Sequence, residues 1–407
     1  PILINNWEAT YFDFTEEKLL AIADVAAQCG VELFVLDDGW FGARTSDHAG
    51  LGDWTVNPDR LPNGIDGLAE KIEARGMKFG IWVELEMVNE DSDLYRAHPD
   101  WVLSVPGRRK SLGRSQCVLD FSRQDVVDNI YEQMAAILAS GKVSYVKWDM
   151  NRSITECWSH ALPAARQGEV FHRYILGLYD LYERLTTAFP HVLFESCASG
   201  GNRFDPGMLY YAPQAWTSDN SDAVERQKIQ YGTSMCYPLS SMGSHVSVVP
   251  NHQVNRVTPL HTRANTAYFG TFGYELDLGK LSAEELAEVK DEIVFMKKYR
   301  EIFQFGTFYR LQSPFEHNVM AWMCVSGDQK TAIVGWYRTL NRVNDRFARV
   351  RLAGLLPDTL YEDSRSGARC YGDELMHYGL ITTDGTTGEP HPEDGLTTDF
   401  DSRLYVL

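Results

Sequence analysis

A lysine, an aspartate, an asparagine and an arginine are gathered in Lys147-Trp148-Asp149-Met150-Asn151-Arg152, directly after the apolar run Val143-Ser144-Tyr145-Val146. The run reads as a buried strand, and each polar group at its end would be costly to bury without a partner. At the carboxyl end of a strand in an α/β protein, such a cluster points to catalysis. Period-2 geometry places Lys147 and Asp149 on one face of the strand. A cation held there favours a charged carboxylate, so Asp149 suits a nucleophile; the plainer alternative is a structural salt bridge.

Other strand ends carry groups of the same kind. Trp7 closes the first strand, Asp37-Asp38-Gly39-Trp40 the second, and Trp82 and Glu84 belong to the third. Arg114 precedes a fourth. Glu195-Ser196-Cys197-Ala198-Ser199-Gly200-Gly201 and Trp216-Thr217-Ser218-Asp219-Asn220 end two later ones. Carboxylates and cations grip vicinal hydroxyls through charge-assisted hydrogen bonds, and tryptophan faces stack on pyranose rings. The ring of residues therefore fits a sugar pocket, and two carboxylates across the scissile bond would make a glycosidase.

The partner of Asp149 should be a carboxyl in a less cationic setting, protonated until it is needed. Asp219 and Asp222 both qualify. Asp222-Ala223-Val224-Glu225 has the spacing of a reciprocal helix cap, which leaves Asp219 as the acid/base. Asp37 and Asp38, with Glu84, could hold a divalent cation, but the cations and tryptophans around them make sugar hydroxyls the better ligands. Cys197 has no histidine neighbour and reads as a packed thiol, with a substrate contact kept open because Gly200-Gly201 lets the chain pass close to a ligand. Trp54 either borders the leaving-group site or packs its own loop. No histidine pair has zinc spacing.

Positioning these residues requires repeated strand–helix units. Strands are expected at Pro1–Asn5, Val31–Leu36, Lys78–Val83, Cys117–Phe121, Val143–Trp148, His191–Glu195, Gln214–Thr217 and Met242–Val249. Helices are expected at Thr15–Cys29 (capped by Thr15 and stopped by Gly30), Gly64–Arg75, Arg123–Ser140, Val170–Phe189 and Asp222–Met235, with helical segments between Pro259 and Phe303. The count favours a (β/α)₈ TIM barrel over residues 1–304, and the glycine fingerprint of a dinucleotide fold is absent. From about Phe305 short β-rich runs predict an antiparallel β-sandwich over 305–407: Phe308–Leu311, Val319–Val325, Thr331–Tyr337, Arg346–Arg351, Thr359–Asp363 and Arg403–Leu407.

Bulk properties agree with a neutral substrate. The 407 residues hold 38 Lys+Arg against 56 Asp+Glu, a net charge of -18, which repels nucleic acid and anionic membrane surfaces. Seven scattered cysteines without a C-x-x-C pair argue against a disulfide framework or structural zinc and for a cytoplasmic setting. No apolar run approaches the length of a membrane span. The chain starts at Pro1 inside a predicted strand, so the natural N-terminus is expected upstream.

The motifs, taken together, resemble glycoside hydrolase family 36 α-galactosidases. The likeness rests on Asn6-Trp7-Glu8-Ala9-Thr10, Leu36-Asp37-Asp38-Gly39-Trp40-Phe41-Gly42, Gly80-Ile81-Trp82-Val83-Glu84-Leu85-Glu86-Met87, the Lys147–Arg152 stretch, Glu195–Gly201 and Trp216–Asp222, in family order. The resemblance implies retaining hydrolysis of terminal α-galactosyl residues of melibiose- or raffinose-type sugars, with Asp149 as nucleophile and Asp219 as acid/base, and no cofactor or metal. It puts Asp37 and Asp38 on the galactose 4- and 6-hydroxyls, Cys197 and Gly200 near the 2-hydroxyl, and Trp7, Trp82, Arg114, Lys147, Asn151 and Trp216 around the sugar. It also implies an N-terminal β-sandwich before the barrel and a homo-oligomer, a tetramer in full-length members. The rival readings are a transglycosylase of the raffinose-synthase kind and a non-catalytic sugar-binding barrel.

Overall fold

The computed structural model describes residues 1–342, 348–382 and 399–407. Eight strands close into a barrel: β1 Leu3–Asn5, β2 Leu33–Leu36, β3 Lys78–Val83, β4 Val143–Trp148, β5 Leu193–Ser196, β6 Gln214–Trp216, β7 Met242–Ser247 and β8 Thr271–Glu275. Their spatial order is their chain order, with β8 returning beside β1. The pairs from β1–β2 through β5–β6 are parallel, and helices such as Glu16–Cys29, Gly64–Glu73 and Val170–Ala188 make the crossovers. The (β/α)₈ architecture is the expected one.

Local signals set the helix ends. The Thr15 side chain accepts the Lys18 amide at 3.3 Å, and Gly30, at φ 94°, ends the Glu16–Cys29 helix in the left-handed conformation that only glycine adopts readily. Asp222 caps the Ala223–Thr233 helix through the amides of Val224 and Glu225, at 3.1 and 3.0 Å. That is the structural duty its spacing predicts.

Two strands differ from expectation. The segment predicted as a fourth barrel strand at Cys117–Phe121 lies outside the barrel: Gln116–Val118 pairs antiparallel with Met87–Asn89 in a two-stranded ribbon between β3 and β4. An apolar run of strand length does not reveal its partner, so periodicity assigns it wrongly. Val143–Trp148 is thus the fourth barrel strand, and the later ones each move down one place. The true eighth, Thr271–Glu275, lies where helix is expected, between the helices Leu260–Ala267 and Ala283–Phe305. Its Thr-Phe-Gly-Tyr-Glu pattern is β-forming, but five residues give a period-2 signal too short to stand out from helical flanks.

Strand alternation layers the barrel interior. Leu3, Leu33, Val35 and Tyr145 form one buried apolar cluster, with Leu193 against it. Two residues further along the same faces come Asn5, Asp37, Lys147 and Glu195, polar and all buried. Gly80 makes room for this packing, because a Cβ there would lie 2.8 Å from the Cβ of Tyr145. The interior is therefore apolar below and polar and charged toward the carboxyl ends.

By Cα packing the chain forms two compact units, Pro1–Asp219 with Glu275–Lys280, and Asn220–Tyr274 with Leu281–Leu407. In the second, β9 Thr307–Gln312, β10 Val319–Val325, β11 Ala332–Arg338 and β12 Asp401–Val406 form an antiparallel sheet. Two short ribbons, Arg349–Val350 with Leu380–Ile381 and Leu360–Glu362 with Arg369–Tyr371, complete the sandwich. Val350, Leu352, Leu355 and Tyr361 share a core with Met323, Val334 and Trp336 of the sheet. Of the strand expected at Arg346–Arg351, Arg346 and Phe347 lie outside the described residues. The Leu260–Ala267 helix is bonded to this sheet through Tyr337 Oη to Asn265 O at 2.6 Å and Asn265 Nδ2 to Ser402 Oγ at 2.8 Å. Among the described residues no helix is long and apolar enough to cross a membrane.

Gly177, within the Val170–Ala188 helix, tests the close packing of the crossovers. In a free helix Gly→Ala stabilises by about 1 kcal/mol. Here a Cβ would lie 1.9 Å from the carbonyl oxygen of Phe121, and a backbone atom cannot rotate away. Gly177→Ala is expected to destabilise by roughly 1–3 kcal/mol in denaturant unfolding; a stabilised variant would refute the contact.

Candidate active site

Asp149, one residue beyond β4, is held from four directions. Its Oδ2 accepts Trp82 Nε1 at 3.3 Å and Asn151 Nδ2 at 2.7 Å, and its Oδ1 accepts the amides of Met150 at 2.8 Å and Ser199 at 3.3 Å. All four donors are N–H groups, so the setting is built for an anion. Asn151 is itself held, accepting Ser199 Oγ at 2.9 Å and donating its amide N–H to Glu84 Oε1 at 2.5 Å. A carboxylate fixed in this way has little rotamer freedom left.

Lys147 does not pair with Asp149. Its ammonium lies 2.9 Å from Asp37 Oδ2, and Asp37 also accepts Asn5 Nδ2 at 2.6 Å while its amide donates to Asn6 Oδ1 at 2.8 Å. Burial pulls the lysine toward neutrality, but Asp37, Glu275, Cys197 and Glu195 outweigh it and hold the ammonium charged. Asp38 makes a bidentate pair with Arg44, at 2.9 and 2.7 Å. Burial still raises the Asp38 carboxyl above its ordinary value against the pull of Arg44. Each acid of the Asp37-Asp38 pair is thus matched to a protein cation, an arrangement that suits hydroxyl groups better than a divalent metal. No cluster of His, Cys, Asp and Glu among the described residues has metal-holding geometry.

Asp219 lies in a contrasting setting. It is solvent-accessible, yet protein surrounds it closely enough that desolvation, followed by the charge of Asp149, pushes its carboxyl up to about 6. Lys147 and Arg114 oppose the shift and Glu275 adds to it. A carboxyl can be open to individual water molecules and still be surrounded by enough protein to disfavour its charge. The burial of Asp219 and the charge of its neighbour together set its carboxyl apart from an ordinary aspartate.

The remaining predicted residues fall around this pair. Trp216 is buried with the Lys147 ammonium 5.9 Å from its ring centroid. Trp7 is half-buried, edge-on to Tyr11 and Phe12. Arg114 is exposed, at φ 52°, and its charge acts on both Asp38 and Asp219. Asn89 braces the chain there, accepting Arg44 Nη1 at 3.3 Å and donating to Ser115 O at 2.9 Å. Cys197 is a buried thiol, pushed well up by burial and then by Asp149 and Asp219. Gly200, at φ +80°, packs against the backbone of Ser218 and Asp219. Trp54 is 2% exposed and packs on Phe41 at 4.4 Å between ring centroids, so the structure favours its loop-packing role.

Four residues of the site escape a sequence reading: Asn5, Arg44, Glu84 as a support, and Ser199. Arg44 had a signal, being the first cation after an acidic pair. Glu84 shares the period-2 face of β3 with Trp82. It is fully buried, also receives Gln116 Nε2 at 3.3 Å, and is pushed up to about 8 by burial and then by the charge of Asp149. Glu86, equally buried, is different: Arg203, Trp148 and Tyr174 all donate to it, at 2.8, 3.1 and 2.5 Å, and it braces the loop after β5.

Comparison with known proteins places the chain in a family. The Melibiase family model matches residues 1–306, and the glycosyl hydrolase family 36 C-terminal domain matches residues 319–407. The chain belongs to glycoside hydrolase family 36. It is 58% identical over 380 residues to α-galactosidase AgaA of Geobacillus stearothermophilus, a match covering 93% of this chain and 52% of that protein. It is 50% identical to α-galactosidase Mel36A of Lactobacillus acidophilus, with the same coverage. The crystal structure of AgaA superposes with a TM-score of 0.95 at 55% identity, over all of this chain and 55% of that one. An AgaA variant has been solved with raffinose bound. The chain spans about half the length of these family 36 relatives.

Glu84 makes the site's electrostatics testable. Folded, it keeps its proton to about 8; unfolded, it ionises near the ordinary glutamate value of about 4.3. Below that window both states hold the proton, and above it neither does. Between, the folded state binds more protons, so rising pH opposes folding. Glu84→Gln removes that slope, and its stability relative to the parent should grow by up to about 1.4 kcal/mol per pH unit across the window in urea titrations. A pH-independent difference would show that Glu84 is ionised in the fold.

Proposed function

We propose that this chain is the catalytic portion of a retaining α-galactosidase that removes terminal α-galactosyl residues from oligosaccharides such as raffinose and melibiose. The observation that carries the reading is the pair Asp149 and Asp219: one carboxyl held by four N–H donors, the other accessible and pushed up to about 6. The likeness to AgaA and to its raffinose-bound form supports galactose as the sugar. In this reading residues 1–304 are the catalytic barrel and 305–407 the appended sandwich.

The chemistry follows from the electrostatics. Asp149 attacks the anomeric carbon as Asp219 gives its proton to the departing oxygen, and a β-galactosyl ester of Asp149 forms. Esterification removes the charge of Asp149, the largest charged contribution raising the Asp219 carboxyl. Asp219 then becomes a weaker acid-holder and suits the role of base, deprotonating the water that releases galactose. Asp37 and Asp38 accept hydrogen bonds from the sugar's 4- and 6-hydroxyls, while Trp7, Trp82 and Trp216 wall the ring. Arg114, Lys147, Asn151, Cys197 and Gly200 complete the contacts in this reading.

Azide separates the two roles by the anomer it yields. Asp149→Gly should lose about 10⁴-fold or more in turnover of an aryl α-galactoside, and azide filling the vacated space should give β-galactosyl azide. Asp219→Ala should form the ester with activated substrates, and azide should then give α-galactosyl azide. NMR of the products decides; the reverse pattern would exchange the roles. For substrates with poor leaving groups kcat/KM should fall as pH rises through about 6, since the acid form of Asp219 is required.

A further inference from the structure

One short turn touches both carboxylates. After β5 the Cys197 amide still donates to Trp148 O, at 2.8 Å, continuing the barrel ladder. The chain then folds back on itself, with Ala198 N donating to Gly200 O at 2.8 Å and Ala198 bridged to Gly201. Ser199 and Gly200 are both left-handed, at φ 46° and +80°. Two such residues in a row, one of them not glycine, are costly and persist only where surrounding contacts impose them.

Those contacts are the catalytic ones. Ser199 N–H reaches Asp149 Oδ1 at 3.3 Å, and its hydroxyl reaches Asn151 Oδ1 at 2.9 Å. On the other side the glycines lie backbone to backbone with the segment that carries Asp219. A Cβ at Gly200 would be 2.6 Å from Ser218 Cα and 2.9 Å from Asp219 N, and one at Gly201 would be 2.7 Å from Thr217 O. No side chain could rotate aside to relieve either contact. Asn202 pins the turn from outside, donating to Ala198 O at 2.9 Å and Ser199 O at 3.3 Å.

We propose that the turn Ala198–Gly201 is the spacer that sets the separation of Asp149 and Asp219, with Gly200 as the positioning residue of Asp219. The proposal rests on the reading of these two as nucleophile and acid/base. Carboxyl separation is what divides retaining from inverting geometry, about 5–5.5 Å against roughly 6.5–9.5 Å, so a rigid spacer is a functional requirement. An alanine methyl at 200 must drive the Ser218–Asp219 backbone back by about 0.8 Å to reach ordinary contact, and a displacement near 1 Å is enough to cost on the order of 100-fold. The family resemblance sets Gly200 beside the sugar's 2-hydroxyl; the spacer role is separate and acts through the acid.

Leaving-group dependence tests this. A dinitrophenyl α-galactoside departs without protonation, whereas raffinose needs the acid. Gly200→Ala should lower kcat/KM for raffinose on the order of 100-fold further than for the dinitrophenyl substrate, any loss at the sugar contact being common to both. Asn202→Ala, an exposed change that touches neither acid, should show the same selectivity at roughly 3–10-fold. Damage to folding or to the 2-hydroxyl contact lowers both substrates alike, since both carry galactose. Equal losses, or wild-type rates in both variants, would overturn the spacer, and Asn202→Ala decides if Gly200→Ala does not fold. Asp219→Ala on the same substrates is the control: without leaving-group selectivity there, the acid assignment fails rather than the spacer.

Discussion

Lys147 is the constraint on which the rest of the barrel mouth depends. It is the ammonium at the centre of a buried interior that also holds Asp37, Glu195 and Glu275. An isolated buried charge is very costly, and breaking a buried pair costs about 3–5 kcal/mol because the partner is left uncompensated. Pairing with Asp37 at 2.9 Å removes that cost for one acid. The field of the same lysine restrains another: Glu195, also bonded by Tyr145 Oη, is pushed up by burial only to about 7. Lys147 therefore pairs directly with Asp37 and moderates the rise of Glu195, while Asp38 takes Arg44 as its partner.

Above that layer, the contrast between Asp149 and Asp219 is one of hydrogen bonding against desolvation. Asp149 is surrounded by donors delivered from three places: the Trp82 indole, its own loop, and the Ser199 amide. Asp219 is raised by burial and by its neighbour's charge. The two effects are coupled, because the better Asp149 is held as an anion, the more strongly it disfavours ionisation of Asp219. Glu84 belongs to the same system, its buried carboxyl pushed up to about 8 by desolvation and then by the charge of Asp149. Three acids in contact with one field remain distinguishable because each has a different share of donors, cations and water.

The appended sandwich contributes differently. Its sheet shares a unit with the last quarter of the barrel, linked through Asn265 to Tyr337 and Ser402. The buried hydroxyls and amides at these links are satisfied across the elements rather than within them, which ties the folding of that quarter to the C-terminal strands. None of the residues proposed to contact the sugar comes from it.

By itself the sequence determined the strand-end chemistry. Alternation placed Lys147 and Asp149 on one face, the cap spacing removed Asp222 from contention, and the ordered motifs named the family. These are short-range properties, written in residues two to four apart. What only the tertiary structure decided was which partner each charge takes. Lys147 turned to Asp37, 110 residues away, rather than to Asp149 two residues on. Arg44 closed on Asp38, Thr271–Glu275 became the eighth strand, and Gln116–Val118 paired outside the barrel with Met87–Asn89. Pairings of this kind depend on barrel closure, which brings strands from the whole chain to one mouth, and no local period encodes which buried charge will lie nearest another.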